Sequence, residues 1–166
     1  MQMTVTQQIN APLEVVFPLL TEPQQVRRWM KTLESTETLS TPDDGGVVGT
    51  RFRHRIRSAN SSRNHIGTSI STYEGVITEF EPPSRFAVRM GNKLLLVECR
   101  YELSRGPGNS TDWQCFLEGR VTHWVMKWFG WLMGKAMCLG LTQHLKMLKR
   151  VAESDAAGTT HQPSEP

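Results

Sequence analysis

Met3, Val5, Gln7 and Ile9 alternate with Thr4, Thr6 and Gln8, and this two-residue period predicts a first strand. Asn10-Ala11-Pro12 ends the strand and opens a helix with proline in its first turn. Leu13, Val16, Phe17 and Leu20 share one face of that helix, and Thr21-Glu22-Pro23 breaks it. Gln24 to Met30 then reads as a second short helix carrying Val26 and Trp29. From Lys31 onward the pattern is strand-like, punctuated by Pro42-Asp43-Asp44-Gly45-Gly46, Asn60-Ser61-Ser62, Glu81-Pro82-Pro83, Gly91-Asn92 and Gly106-Pro107-Gly108-Asn109. These breaks predict strands near 32–40, 49–57, 68–80, 85–91, 93–103 and 111–122, joined as an antiparallel meander. The clearest alternation is Arg51 to Arg57, with four arginines on one face and Phe52, His54 and Ile56 on the other. By the same reading, Phe86, Val88 and Met90 face inward, with Leu95, Val97, Cys99, Tyr101 and Leu103, and Trp113, Cys115, Leu117 and Val121.

The chain then changes period. Trp124 to Ala152 contains no proline, and at about 100° per residue Leu141, Leu145, Leu148 and Ala152 fall on one stripe of a long helix. Toward the N-terminus the same stripe runs through Cys138, Gly134 and Gly130, which have little or no side chain to fill the space below. Glycine inside a helix costs about 1 kcal/mol relative to alanine, so two on the buried side imply close backbone approach or an internal cavity. A seven-stranded sheet with one apolar face needs a cover, and this helix is the element long enough to supply it. The fold class is therefore α+β, with a seven-stranded antiparallel sheet curved around a long C-terminal helix and two short helices after the first strand.

The order of elements and several local sequences resemble the helix-grip fold of the START-like, or SRPBCC, superfamily, especially its polyketide cyclase/dehydrase and lipid-transport branch. The matching residues are Ile9-Asn10-Ala11-Pro12-Leu13-Glu14-Val15-Val16-Phe17, Trp29, Gly49-Thr50-Arg51-Phe52, Glu79-Phe80-Glu81-Pro82-Pro83-Ser84-Arg85-Phe86, and Leu145 to Leu148. The resemblance covers about residues 3–153 and implies a pocket between the concave sheet and the long helix, with its mouth near the two small helices. It implies little about activity, because the superfamily includes lipid carriers, cyclases, coenzyme Q-binding proteins and chaperone ATPase activators. Residues 1–153 are expected to form the START-like domain, and 154–166, polar and rich in small residues, a disordered tail.

Composition narrows the function classes. With 166 residues, 38% hydrophobic and 21% charged, the chain suits one soluble domain. Its net charge of +3 is too small for a nucleic-acid footprint. Cys99, Cys115 and Cys138 are odd in number, widely spaced and in apolar contexts, which points to neither a disulfide scaffold nor a zinc site and fits a reducing cytoplasm. No signal peptide is read at the N-terminus, and Lys127 and Lys135 interrupt the most membrane-like stretch. Phosphate loops, nucleophile elbows and metal-binding helices are missing from the motifs, so no cofactor, metal or catalytic residue is assigned.

The expected function is binding or transport of a hydrophobic small molecule, such as a lipid, isoprenoid or polyketide, in the cavity. Phe52, His54, Ile56, Met90, Val97, Cys99 and Tyr101 are expected to line it, together with Trp113, Cys115, Leu117, Gly134, Cys138 and Leu141. His54 is either a hydrogen-bonded core residue or a ligand contact whose pKa could be tuned toward neutrality. The alternatives are a cyclase/dehydrase-like enzyme moving a proton through His54 or Tyr101, and an interaction module. The four arginines from Arg51 to Arg57 either form a solvated outer face or meet an anionic surface, and Glu98, Arg100 and Glu102 suit cross-strand ion pairs. Trp124, Trp128, Phe129, Trp131 and Leu132 occupy more of the helix circumference than one sheet covers. The small helices, a homodimer partner or a peripheral membrane surface could each cover that region.

Overall fold

A computed structural model of the chain describes residues 2–62, 65–93, 95–121 and 130–159, and side chains within these outside 58–69, 121–141 and 159. Strand β1 (Gln2–Ile9) is followed by helices α1 (Leu13–Thr21) and α2 (Pro23–Trp29). Strands β2 (Leu33–Ser40), β3 (Arg51–Ser62), β4 (His65–Glu81), β5 (Arg85–Gly91), β6 (Leu95–Arg105) and β7 (Thr111–Val121) come next, and helix α3 (Gly130–Thr159) ends the described chain. The strands form one antiparallel sheet in the order β1-β7-β6-β5-β4-β3-β2. Every neighbour after β2 is a hairpin partner, and β1 closes the far edge against β7. The α1–α2 segment therefore carries the chain from one edge of the sheet to the other. This is the helix-grip fold anticipated from the sequence.

Local chemistry explains the helical corner. Pro12 adopts extended backbone at the start of α1, where its carbonyl accepts from the N–H groups of Val15 and Val16. Leu13, Val16, Phe17, Leu19 and Leu20 are buried on that helix. The expected break at Thr21-Glu22-Pro23 separates α1 from α2, with Pro23 in the first turn of α2, where a missing N–H costs no intrahelical bond.

The sheet obeys the two-residue period closely. On β6, Val97, Cys99, Tyr101 and Leu103 are buried while Arg100 and Ser104 are exposed, and on β7 Trp113, Cys115 and Leu117 are buried. Leu145, Leu148 and Ala152 of α3 complete the core, each at most 3% exposed. That matches the stripe read from the sequence, apart from Leu141, whose side chain lies outside the described residues together with Gly130, Gly134 and Cys138. Trp124, Trp128 and Phe129 lie outside them entirely, as do the side chains of Trp131 and Leu132.

Two boundaries differ from expectation. Asn60-Ser61-Ser62 was expected to end β3, yet pairing continues through Asn60↔Gly67, Ser61↔Ile66 and Ser62↔His65. A two-stranded ribbon is held by backbone hydrogen bonds, so polar residues can extend the hairpin beyond the apolar face. The tail is the second correction, because α3 continues through Thr159 and residues 154–159 are helical rather than disordered. Asp155 explains much of this: its carboxylate takes two bonds from the Arg28 guanidinium, at 2.6 and 2.7 Å, while Ala156 packs against the core. Nearby, Glu153 accepts from the Asn10 N–H at 3.0 Å, and the Lys149 ammonium donates to the Gln8 carbonyl at 2.9 Å. These contacts seat the end of α3 on α2 and on the end of β1.

Gly75 shows how tightly the inner wall is built. It lies opposite Phe52 on β3 and Met90 on β5, and a Cβ placed there would stand 2.5 Å from the Phe52 ring, 2.9 Å from the Arg89 carbonyl oxygen and 2.9 Å from the Met90 Cβ. The ring could rotate away, but the carbonyl belongs to the paired backbone. Gly75→Ala is therefore expected to destabilise the fold by about 1–3 kcal/mol in urea unfolding, the usual range for overpacking. An unchanged midpoint would show that the sheet yields there at no cost.

Candidate ligand cavity

The inner faces of β2 to β6 do not close fully on the helices. Beneath α2 and the end of α1 they leave a cavity of about 260 Å³, slightly below the usual small-molecule range of about 300–1,000 Å³. Leu20, Pro23, Val26, Trp29 and Met30 form its helical side, while Phe52, Ile56, Ile77, Phe86, Val88 and Met90 form the sheet side. Val47, 38% exposed in the loop between β2 and β3, stands at its rim. The polar lining consists of Thr21, Thr36, Thr38, Thr50, His54 and Tyr101.

The helical side is held by an unusual hydrogen bond. The Leu19 carbonyl would normally accept from the residue four positions on, but that residue is Pro23, which has no N–H. The Trp29 indole N–H donates to it instead, at 2.6 Å, fixing the ring at the cavity wall. His144 of α3 meets that ring edge-on at 6.5 Å and bonds the Thr32 hydroxyl through Nε2 at 3.3 Å.

On the sheet side, aromatic rings run in contact across four strands. Phe80 packs edge-on against Phe86 at 6.3 Å, Phe86 stacks with Tyr101 at 6.1 Å, and Tyr101 with Trp113 at 6.0 Å. Strand register produces the start of this row, because Phe80 pairs with Phe86 and Phe86 with Tyr101. A separate pair, Phe52 and His54, sits at 4.5 Å between centroids, and the His54 Nδ1 is 2.9 Å from the Thr36 hydroxyl.

Burial controls the ionisable groups in this region. It lowers the His54 pKa to about 4, away from the neutral range considered from the sequence, so the imidazole is uncharged at pH 7. Burial raises Cys99 to about 11, pushes Cys115 higher still, and lifts Tyr101 well above the usual phenol range. Both thiols and the phenol therefore stay protonated. His144 is also lowered by burial. Among the described residues no cluster of three or more His, Cys, Asp or Glu could hold a metal ion.

Five residues expected to line the cavity do border it: Phe52, His54, Ile56, Met90 and Tyr101. Val97, Cys99, Trp113, Cys115 and Leu117 are instead packed into the core toward the β1 edge of the sheet. Gly134, Cys138 and Leu141 have side chains outside the described residues. The sequence reading missed the threonines and the α1–α2 residues, although the expected position of the small helices near the mouth was a signal for the latter.

Outside the sheet, the arginines of β3 are paired. Arg53 bridges Glu74 at 2.8 Å and Glu37 at 3.1 Å, while Arg57 meets Glu34 at 2.9 Å. Arg51 and Arg55 lie 3.8 Å from Glu74 and Glu34. Glu98 pairs with Arg89, and Arg100 with Glu79, as cross-strand pairing required. Such exposed pairs contribute about 0–1 kcal/mol each, and here they keep charge off the inner face. A larger hollow of about 680 Å³ lies on this outer side, bordered by Gln8, Glu81, Arg85, Glu102, Asp112 and Gln114. Being open and bordered by carboxylates, an arginine and amides, it offers an apolar molecule less desolvation gain than the enclosed cavity.

A family model described as polyketide cyclase / dehydrase and lipid transport matches residues 1–153. The chain belongs to this family. No protein of curated function matches it closely enough to lend a more specific role. Solved structures agree with the family assignment at the level of fold. A START superfamily protein from Mycobacterium smegmatis is similar with a TM-score of 0.72 and 14% identity, covering 92% of this chain and 97% of that one. An AHSA1-like protein from Aeromonas hydrophila matches with a TM-score of 0.58 and 22% identity over 100% of both chains. The di-domain ARO/CYC BexL from the BE-7585A biosynthetic pathway matches with a TM-score of 0.66 and 18% identity, covering 92% of this chain and 50% of that one. In this member of the polyketide cyclase / dehydrase and lipid transport family, the helix-grip scaffold thus frames an apolar cavity floored by the sheet. Among the described residues no helix is long and apolar enough to cross a membrane.

Proposed function

We propose that this protein binds and carries a hydrophobic small molecule, a lipid, isoprenoid or polyketide-like compound, in the cavity between the sheet and the helices. The observation that carries this reading is an apolar hollow of about 260 Å³ whose described lining contains no Asp, Glu, Lys or Arg. Removing apolar ligand surface from water contributes about 25 cal/mol per Å², and the threonines, His54 and Tyr101 supply orientation. A cavity of this kind suits each role named in the family's description, polyketide cyclase / dehydrase and lipid transport. Proton-transfer catalysis is the weaker reading, because a catalytic acid or base works best with a pKa near the operating pH. His54, Cys99, Cys115 and Tyr101 are all displaced from that range.

Val88→Phe tests the carrier reading. Val88 is 5% exposed and borders the cavity, so the larger ring enters existing space. Affinity for the neutral apolar fluorophore N-phenyl-1-naphthylamine should fall more than about tenfold, while far-UV circular dichroism stays as in the parent protein. Equal fluorophore binding by the variant would move the site elsewhere.

A further inference from the structure

We propose that the cavity selects an electrically neutral molecule bearing a hydroxyl group, held by the free ring nitrogen of His54, and discriminates against ionised fatty acids and other apolar anions. This rests on the carrier reading and adds the chemistry of the ligand's polar end.

The first observation is the segregation of charge. Arg51, Arg53, Arg55 and Arg57 alternate with the cavity residues Phe52, His54 and Ile56, so their side chains leave the opposite face of β3, where Glu34, Glu37 and Glu74 hold them. Among the described residues, no cation borders the cavity to receive a carboxylate or phosphate. Among these residues an anion would therefore lose its water without gaining a counter-charge, which is far costlier than burying a neutral oxygen.

The second is the bonding of His54. Nδ1 is taken by the Thr36 hydroxyl at 2.9 Å, the one hydrogen bond of this ring found among the described residues, which leaves Nε2 for a ligand. If Thr36 donates to Nδ1, Nε2 carries the proton and donates; if Nδ1 donates to Thr36, Nε2 accepts. A hydroxyl satisfies either tautomer, because it both donates and accepts. Burial keeps the ring neutral, so it offers a hydrogen bond without a charge. Other polar groups of the lining are partly committed, with the Thr21 hydroxyl donating to the Phe17 carbonyl at 3.1 Å. Thr36 and Thr38 of β2 pair with His54 and Phe52 of β3, so two hydroxyls stand beside the imidazole on the β2 side of the cavity, while Phe86 and Tyr101 stack on β5 and β6.

The test is competition against N-phenyl-1-naphthylamine at pH 8 by 1-decanol and by decanoate, which share one chain and differ in their polar end. In the parent protein, decanol should displace the fluorophore at a concentration about a hundredfold below that needed for decanoate. In His54→Leu the affinity for decanol, measured relative to that for the fluorophore, should fall about tenfold. If the fluorophore binds but decanoate competes as well as decanol, the selectivity proposal is overturned and the carrier reading stands. The same holds if His54→Leu leaves the relative affinity of decanol untouched. If neither fluorophore nor decanol binds the parent protein, the carrier reading fails and this inference with it. The comparison of alcohol with acid needs no substitution, so it remains decisive should the variant not fold.

Discussion

Trp29→Ala is expected to lower the stability of the folded chain by about 3–5 kcal/mol, a large part of the ~5–15 kcal/mol that typically holds a domain together. Trp29 is 3% exposed and lies where α2, α3 and the cavity wall meet. Removing its ring opens a void beside His144 and strips the Leu19 carbonyl of its donor. That carbonyl has no substitute within the helix, since Pro23 occupies the position that would have supplied an N–H. Trp29→Phe separates the two contributions. It retains most of the apolar ring and loses the hydrogen bond, so a cost of about 1–2 kcal/mol is expected. Urea unfolding followed by circular dichroism measures both variants. A loss below about 1 kcal/mol for Trp29→Ala would mean that the helical corner collapses around the gap, and the account of α2 as a fixed wall would fail.

The sequence carried the fold through its periods, and it carried the cavity less completely for a physical reason. A two-residue alternation states which face of a strand is buried, as at Phe52, His54 and Ile56, but it does not state what covers that face. Val97, Cys99, Trp113, Cys115 and Leu117 have the same parity as the lining residues, belong to the buried core and nonetheless do not border the cavity. They share one core cluster with α1 side chains and with Leu145 and Leu148 of α3. Covering depends on long-range packing, and no local pattern encodes it. Thr36 and Thr38 illustrate the opposite error. Strand β2 reads Leu-Glu-Ser-Thr-Glu-Thr-Leu-Ser, interrupted by register shifts at both ends, so its inner face does not advertise itself as apolar. Pairing Thr36↔His54 and Thr38↔Phe52 places those hydroxyls beside the cavity all the same. The helical end of the chain was legible up to Ala152, where apolar periodicity stops. Beyond it the Arg28–Asp155 pair, 127 residues apart in sequence, extends α3 by a contact that no window of sequence contains.

His54 should make the protein lose stability as pH falls from about 6.5 to about 4, before most carboxylates titrate. Its pKa is 6.5 in the unfolded chain and about 4 in the folded one, so the folded state binds its proton less readily. Above pH 6.5 both states leave the ring neutral and its contribution is fully retained. Between the two values the unfolded state gains a proton that the folded state refuses, and stability declines throughout that window. Below pH 4 both are protonated and the loss is complete. At pH 5 the expected loss from His54 is about 2 kcal/mol relative to pH 7. The lowered pKa of His144 acts in the same direction, so some slope remains when His54 is replaced. Glu74 and Glu118, whose carboxyls are lowered by Arg53 and Arg120, contribute mainly as the pH drops below the ordinary carboxylate range. The difference in unfolding free energy between pH 7 and pH 5 should therefore shrink by about 2 kcal/mol in His54→Leu compared with the parent protein. Equal slopes for the two proteins would show that the imidazole is hydrated in the folded state. A hydrated ring could not be the uncharged anchor assigned to it, because water would already occupy its free nitrogen and a cation would form beside the ligand under mildly acidic conditions.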